Sequence, residues 1–398
     1  MKLVALGILS TYPPAQCGIA KFSQSLHDNL IAADCDVGIV QVRDGPLPAG
    51  RRAEVVATLE DDPGDAAVLE ALNGFDAVIV QHEYGIYGGR DGEHVTTVLD
   101  AVERPVIVVL HTVRDQPTGH QRSILEQIVD RADRVVVLSQ TAKRQLREVY
   151  GVPAADVVVI PHGARVAPPP LRTPGSARPL KSALPWNWAL PWNRALRRAT
   201  LPTILSWGLI SPGKGIEWGI DAVAGLRGMG VEARYLVVGE THPKVRERFG
   251  EAYRDSLRLR AGLREVADLV EFDAAYEDEQ RLHTLIAGAD VILLPYESKE
   301  QVTSGVLIEA VAARKPIVAT AFPHAVELLG GGAGRLVPHR DSAAMARALR
   351  RILTVPGVAA DMTARAGLLA PDFAWSTVAY RYRELAGDLM DSAARIAA

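Results

Sequence analysis

Acidic residues are missing from one long stretch of this 398-residue chain: none occurs between Val157 and Ile216. Cysteine is scarce throughout. Cys17 and Cys35 are the only two. That is too few for a disulfide framework, and their spacing fits no metal motif, so a reducing compartment is the simpler reading. No apolar run approaches the roughly 18 residues of a spanning helix, so a soluble or peripheral, cytoplasmic protein is expected. Charge of neither sign dominates. Lys plus Arg number 44 and Asp plus Glu 47, a formal net charge of −3, which gives no electrostatic reason to expect nucleic acid as a partner. Also absent are the Walker spacing GxxxxGK[ST], a G-x-S-x-G elbow, HExxH, an EF-hand loop and CxxC. ATP hydrolysis, a serine-hydrolase triad and zinc therefore lack support.

What is present suits a large globular protein. Hydrophobic residues make up 48% and charged residues 23%, enough to bury sizeable cores, and the length suggests two or three domains at roughly 150 residues each. The apolar run Leu3–Leu9 is short for a signal peptide, and no small-residue cleavage site follows before Tyr12-Pro13-Pro14; a first buried strand explains it better. Further strand-like runs are Val37–Val42, Ala77–Val80, Val106–Leu110, Val135–Leu138 and Val157–Ile160. Helix-period segments lie between several of them: Ile19–Leu30, Gln121–Asp130 and Thr141–Tyr150, the last capped by Ser139. The second half repeats the rhythm with strands at Thr203–Trp207, Arg234–Val238, Leu269–Phe272, Val291–Leu294 and Pro316–Ala319, and helices at Lys244–Leu259, Glu279–Ala287 and Gly305–Ala313. Continuous Val/Ile/Leu strands alternating with helices predict an α/β protein of two doubly wound, Rossmann-like domains.

The expected division is 1–165 for the first domain, 166–200 for a linker or insertion, 201–374 for the second domain and 375–398 for a closing helix that braces both. Segment 166–200 holds six basic residues, a Pro triplet at 168–170, the near-repeat ALPWN, and Trp186, Trp188 and Trp192. Two readings stay open: a Pro-stiffened linker whose tryptophans pack on a domain, or a peripheral membrane contact through 176–198, with Trp at headgroup level and Arg on anionic lipid.

Ligands of open α/β sheets bind beyond the carboxyl ends of the strands, so the loops there are the places to look. Gly18 opens a helix after the first strand, where backbone N–H groups and the helix dipole favour an anion. His82, with Glu83 and Tyr84, follows one strand and His111, with Arg114, the next; the two histidines are expected to face one crevice. Each alone is as readily structural. The loop Ser211-Pro212-Gly213-Lys214-Gly215 suits a phosphate, against the plainer alternative of a solvated Lys at a turn. Ser304 and Gly305 put small residues at a helix start. Glu309, flanked by Leu307, Ile308, Ala310 and Val311, is costly to bury without a ligand or an ion-pair partner.

Taken together, GIAKFSQSLHDNL, QHEYGIYGG, HTV, IPHG, SPGKGIEWGIDA, VGETHP, QVTSGVLIEAVAARKPIVAT and GGAGRLVP resemble the retaining glycosyltransferases of family four, with the GT-B fold. The resemblance covers nearly the whole chain outside 166–200. It implies that a nucleoside-diphosphate sugar binds in a cleft between the domains as co-substrate, with no metal or other cofactor, and that a hexose moves to a glycan or lipid-linked acceptor. Position by position, it places Gly18 against the donor diphosphate, His111 near the transferred sugar, Lys214 on the diphosphate, Ser304 and Gly305 on the distal phosphate, Glu309 on the ribose and Tyr276 beside the base. Loop residues His82, Glu83, Tyr84 and Arg114 fall on the acceptor side.

Two positions depart from the family pattern. The first Glu of its Glu-x7-Glu pair is Gln301 here, and the Arg before the SPGKG loop is Leu209. Gln can still hydrogen-bond a sugar hydroxyl; the loss of Arg removes one cation from the leaving group. Those departures keep a non-catalytic nucleotide-sugar-binding protein open as an alternative, beside a GT-B-like epimerase or phosphorylase.

Overall fold

The computed structural model describes residues 3–15, 17–43, 52–167, 201–274 and 279–397. Tyr276 and the membrane-contact segment 176–198 lie outside the described residues. The chain divides by contacts into two compact units: Met1–Arg165 with Glu300–Ile308 and Pro371–Ala398, and Val166–Lys299 with Glu309–Ala370. The division differs from the expected one in giving residues 300–308, and everything from 371 onward, to the first unit.

In the first unit the order is β1 (Val4–Ser10), α1 (Gly18–Ile31), β2 (Cys35–Val42), β3 (Val55–Leu59), α2 (Ala66–Asn73), β4 (Ala77–His82), α3 (His94–Ala101), β5 (Val106–Leu110), α4 (Gly119–Arg131), β6 (Arg134–Val137), α5 (Gln140–Tyr150) and β7 (Val157–Val159). The pattern reading missed β3, α2 and α3, whose short runs give little periodicity to detect. All seven strands pair parallel in the order β3-β2-β1-β4-β5-β6-β7. Side chains alternate between two apolar layers, as period-2 geometry requires. Ala77 and Ile79 of β4, with Ile107 and Val109 of β5, join Phe22, Leu26 and Leu30 of α1. Val78, Val80, Val106, Val108 and Leu110 join α2–α5 on the opposite face. Each such Val, Ile, Leu or Phe side chain, fully buried, contributes about 1.5–3 kcal/mol.

The second unit has β8 (Thr203–Trp207), α6 (Ile216–Gly228), β9 (Arg234–Val238), α7 (Pro243–Phe249), α8 (Ala252–Leu263), β10 (Val270–Asp273), α9 (Glu279–Gly288) and β11 (Val291–Leu294). Then come α10 (Gly305–Ala312), which spans the division between units, β12 (Ile317–Thr320), α11 (Pro323–Leu329), β13 (Arg335–Val337), α12 (Ser342–Thr354) and α13 (Val358–Leu369). Six parallel strands run β10-β9-β8-β11-β12-β13. The single helix expected over Lys244–Leu259 is broken, because Gly250 takes φ +59° and ends α7 there. The closing helix α14 (Trp375–Ala397) belongs to the first unit: its Val378, Ala379, Tyr382, Ala386 and Leu389 lie in the α1 layer. In both sheets the connections reverse beside the first strand, at β1/β4 and at β8/β11, which puts a crevice at the carboxyl ends of those strands.

Candidate active site

At the β4/β5 end of the first unit, aromatic rings gather around Phe22. Its ring meets His111 at 5.0 Å, His162 at 5.0 Å and Trp375 at 5.1 Å, all edge to face. Burial pushes the His111 imidazole down to about 3, with the neighbouring His162 and His82 rings adding to the effect. Burial likewise takes His162 to about 4, against the opposing pull of its hydrogen bond to the Gly163 carbonyl. All three rings are therefore neutral near pH 7. The expectation that His82 and His111 face one crevice is corrected by strand alternation. His82 shares the face of Val78 and Val80, is fully buried, and packs its ring 5.1 Å from Tyr84. The residue beside His111 is instead Gln81, which the sequence reading passed over: its Oε1 lies 2.7 Å from His111 Nε2.

The other first-unit candidates are well tied. Glu83 accepts from the Thr112 hydroxyl and from the Tyr84 backbone N–H at 3.0 Å. Tyr84 is buried, with the Arg114 guanidinium 5.5 Å over its ring. Arg114 Nε is buried with no acceptor among the described residues. Gly18 opens α1, and a Cβ there would meet nothing within 4 Å among the described residues. Cys17 caps that helix, its sulfur accepting from Ala20 N at 3.3 Å. Ser304 caps α10, its Oγ accepting from Leu307 N at 3.3 Å. A Cβ on Gly305 would come within 3.1 Å of His162 Nε2, so only a bare backbone fits without displacing that ring. Gln301 turns its amide onto its own loop, donating to the Thr303 carbonyl at 3.0 Å.

In the second unit a hollow opens at the switch point, lined chiefly by Trp207, Gly208, Leu209, Ile210, Lys214 and Tyr296. Lys214 is the one charged side chain among its lining residues. The ammonium sits 4.6 Å over the Tyr296 ring, and no acceptor among the described residues takes a hydrogen bond from it. Desolvation lowers its pKa. A partly desolvated ammonium that faces a π ring, with no acceptor among the described residues, is stabilised by any anion that reaches it. The loop bearing it is held by backbone: Glu297 N donates to the Gly213 carbonyl at 2.9 Å, and Gly215 takes φ +68°. Leu209, where the family pattern has Arg, adds only apolar surface. Glu309 Oε2 accepts from the Trp207 indole at 2.8 Å, so an indole N–H is one partner of that half-buried carboxylate. Sequence reasoning missed Trp207, Tyr296 and the buried Arg254, whose guanidinium donates to the Gly239 carbonyl and the Thr241 hydroxyl. Their only signal was a position just after a strand, or on a helix packed against one. Among the described residues no group of three or more His, Cys, Asp or Glu is arranged to hold a metal.

Comparison with known proteins bears on both units. Residues 17–167 match the family model described as Glycosyltransferase Family 4, and residues 201–355 the model described as Glycosyl transferases group 1. A D-inositol 3-phosphate glycosyltransferase of Kineococcus radiotolerans is 29% identical over 316 residues, 70% of this chain and 65% of its own length. The chain thus spans just under two thirds of that relative. Among solved structures, Anabaena HepE in complex with UDP superposes with a TM-score of 0.70 at 18% identity, covering 97% of this chain and 100% of HepE. Its complex with UDP-glucose gives 0.69 at 19%, covering 96% and 99%. The likeness in shape establishes the GT-B fold.

Proposed function

Because the chain belongs to family four of the glycosyltransferases, we propose that it moves a hexose, mannose or glucose, from a nucleoside-diphosphate sugar to a glycan or lipid-linked hydroxyl acceptor. The proposed reaction retains configuration and needs no metal ion. As the glycosidic bond breaks, the leaving diphosphate gains negative charge. A cation fixed in advance where that charge grows stabilises the transition state more than the ground state.

One observation carries the reading. Lys214 holds a partly desolvated ammonium over Tyr296 with no carboxylate on it among the described residues, in the hollow at the second unit's switch point. In this assignment Lys214 takes the diphosphate, and Glu309, oriented by Trp207, takes the ribose. Gly18, Ser304 and Gly305 offer backbone to phosphate, and His111 lies by the sugar. The UDP and UDP-glucose complexes of HepE make UDP-sugars the first donors to try. Peripheral membrane contact through 176–198 of a cytoplasmic protein is part of the proposal. Equal flotation on anionic liposomes with and without that segment would remove it.

The test is a thermal-shift screen with UDP-, GDP- and ADP-sugars, followed by Lys214→Ala on the pair that works. A donor at a hundredfold its Kd raises stability by about 2.7 kcal/mol. Lys214→Ala is expected to cost roughly tenfold or more in turnover; unchanged turnover would take Lys214 out of the site. Donor stabilisation with no donor consumed across an acceptor panel would favour the non-catalytic reading that Leu209 and Gln301 motivate.

A further inference from the structure

Gln81 is a fully buried polar side chain on β4 that the proposed chemistry does not use. Its main-chain carbonyl takes the Tyr87 hydroxyl at 2.8 Å. Its side-chain nitrogen has no acceptor among the described residues, and its Oε1 sits 2.7 Å from His111 Nε2. The β4–β5 register pairs Gln81 with Val109. His111, two residues beyond Val109, therefore projects from the same face as Gln81. A carboxamide oxygen can only accept, so Nε2 must carry the ring proton in this bond. Nδ1 then keeps the lone pair. Titratable neighbours do not compete for the ring: those acting on it are the imidazoles of His162 and His82, both of which oppose a positive charge there. Phe22 packs against it edge on.

We propose that Gln81 is a positioning residue for His111, locking the neutral Nε2–H tautomer so that Nδ1 is presented as a hydrogen-bond acceptor for a hydroxyl of the bound sugar. The inference rests on the proposed place of His111 beside the transferred sugar. It makes His111 an orienting acceptor in place of a proton donor. A carboxylate at position 81 would instead hold the ring as imidazolium, with both nitrogens donating and none left to accept.

The experiment uses the full chain labelled with 15N-histidine, His111 being assigned by its loss in His111→Gln. In the wild type, Nε2 is expected to give a pyrrole-type shift and Nδ1 a pyridine-type shift throughout pH 5–8. In Gln81→Glu both nitrogens are expected to become protonated near neutrality. The variant's kcat is expected to fall about tenfold with donor KM little changed, recovering toward alkaline pH as the imidazolium loses its proton. In Gln81→Met, which fills the volume without an acceptor, the two tautomers are expected to mix and kcat to fall. A wild-type ring protonated on Nδ1, or an unchanged His111 spectrum in both variants, overturns the inference. If no donor is turned over at all, the spectra still decide the role of Gln81, and the failure falls on the proposed reaction alone.

Discussion

A histidine buried with no partner for either ring nitrogen stays neutral, and protonating it opposes the fold. His82 is in that position: both nitrogens lack partners among the described residues, and burial holds its pKa at about 4. In the unfolded chain the same ring titrates near 6.5. Between about pH 6.5 and 4 the unfolded state therefore binds more protons, and stability falls as pH falls, by about 1.4 kcal/mol per pH unit for each such histidine. His162, also held at about 4, acts in the same window. Replacing His82 by Phe keeps a ring against Tyr84 and removes the titration. The melting temperature of His82→Phe is expected to drop less than that of the wild type between pH 7 and pH 5, a relief of about 2 kcal/mol at pH 5. Parallel pH curves for the two proteins would show that His82 is not a linked group. The two histidines were legible as strand-end residues, but which of them shares a face with Gln81 was not. That depends on the phase of the pleat at the last residue of β4, and a one-residue shift there exchanges the faces.

At the scale of the element, the loop between β8 and α6 carries Lys214 on a backbone that two glycines permit for different reasons. Gly213, at φ +88°, has open space where a Cβ would go; Gly215, at φ +68°, would put its Cβ 1.9 Å from the Pro295 carbonyl oxygen. Gly213→Ala meets only the left-handed backbone penalty, about 1 kcal/mol. Gly215→Ala must also push the loop off β11, costing about 2 kcal/mol or more and moving the ammonium with it. The expected result is a modest loss of stability with donor binding kept in Gly213→Ala, and a larger loss with donor-induced stabilisation abolished in Gly215→Ala. Chemical denaturation with and without UDP distinguishes the two, and equal behaviour would discount the Pro295 contact. The glycines of this loop were readable as a phosphate-type turn. The carbonyl that makes one of them obligatory comes from a strand some eighty residues downstream, where no local pattern could have pointed.

For the whole molecule, the first unit is discontinuous in sequence. Residues 1–165 are completed by 300–308 and 371–398. Ser139, the cap of α5, donates to the Val302 carbonyl at 2.7 Å, and Val302 sits in the core beneath it. On the other face α14 covers Phe22, Leu26 and Leu30, and Trp375 fills the space that Gly163 leaves, where a Cβ would come within 2.2 Å of the indole. A chain ending at 374 loses Val378, Tyr382 and Leu389 from this layer, each contributing about 1.5–3 kcal/mol, with a smaller loss at Ala379 and Ala386, a sum comparable to the margin of an ordinary domain. The truncated protein is expected to lose the first unit's cooperative melting transition while the second unit's core resists proteolysis. Retention of both transitions would mean that α14 only decorates the unit.

The alternation of apolar strands and amphipathic helices, the glycine turn around Lys214 and the ordered run of family motifs are local properties of the chain. They fixed the α/β class, the two doubly wound sheets and the family, because periodicity and turn chemistry act over a few residues. Partnerships between distant segments belong to the folded molecule: Gln81 on His111, Trp207 on Glu309, Tyr296 under Lys214, and the last helix closing the first unit. They were decided only by folding, since each depends on side-chain facing and strand register that bring together residues tens to hundreds of positions apart.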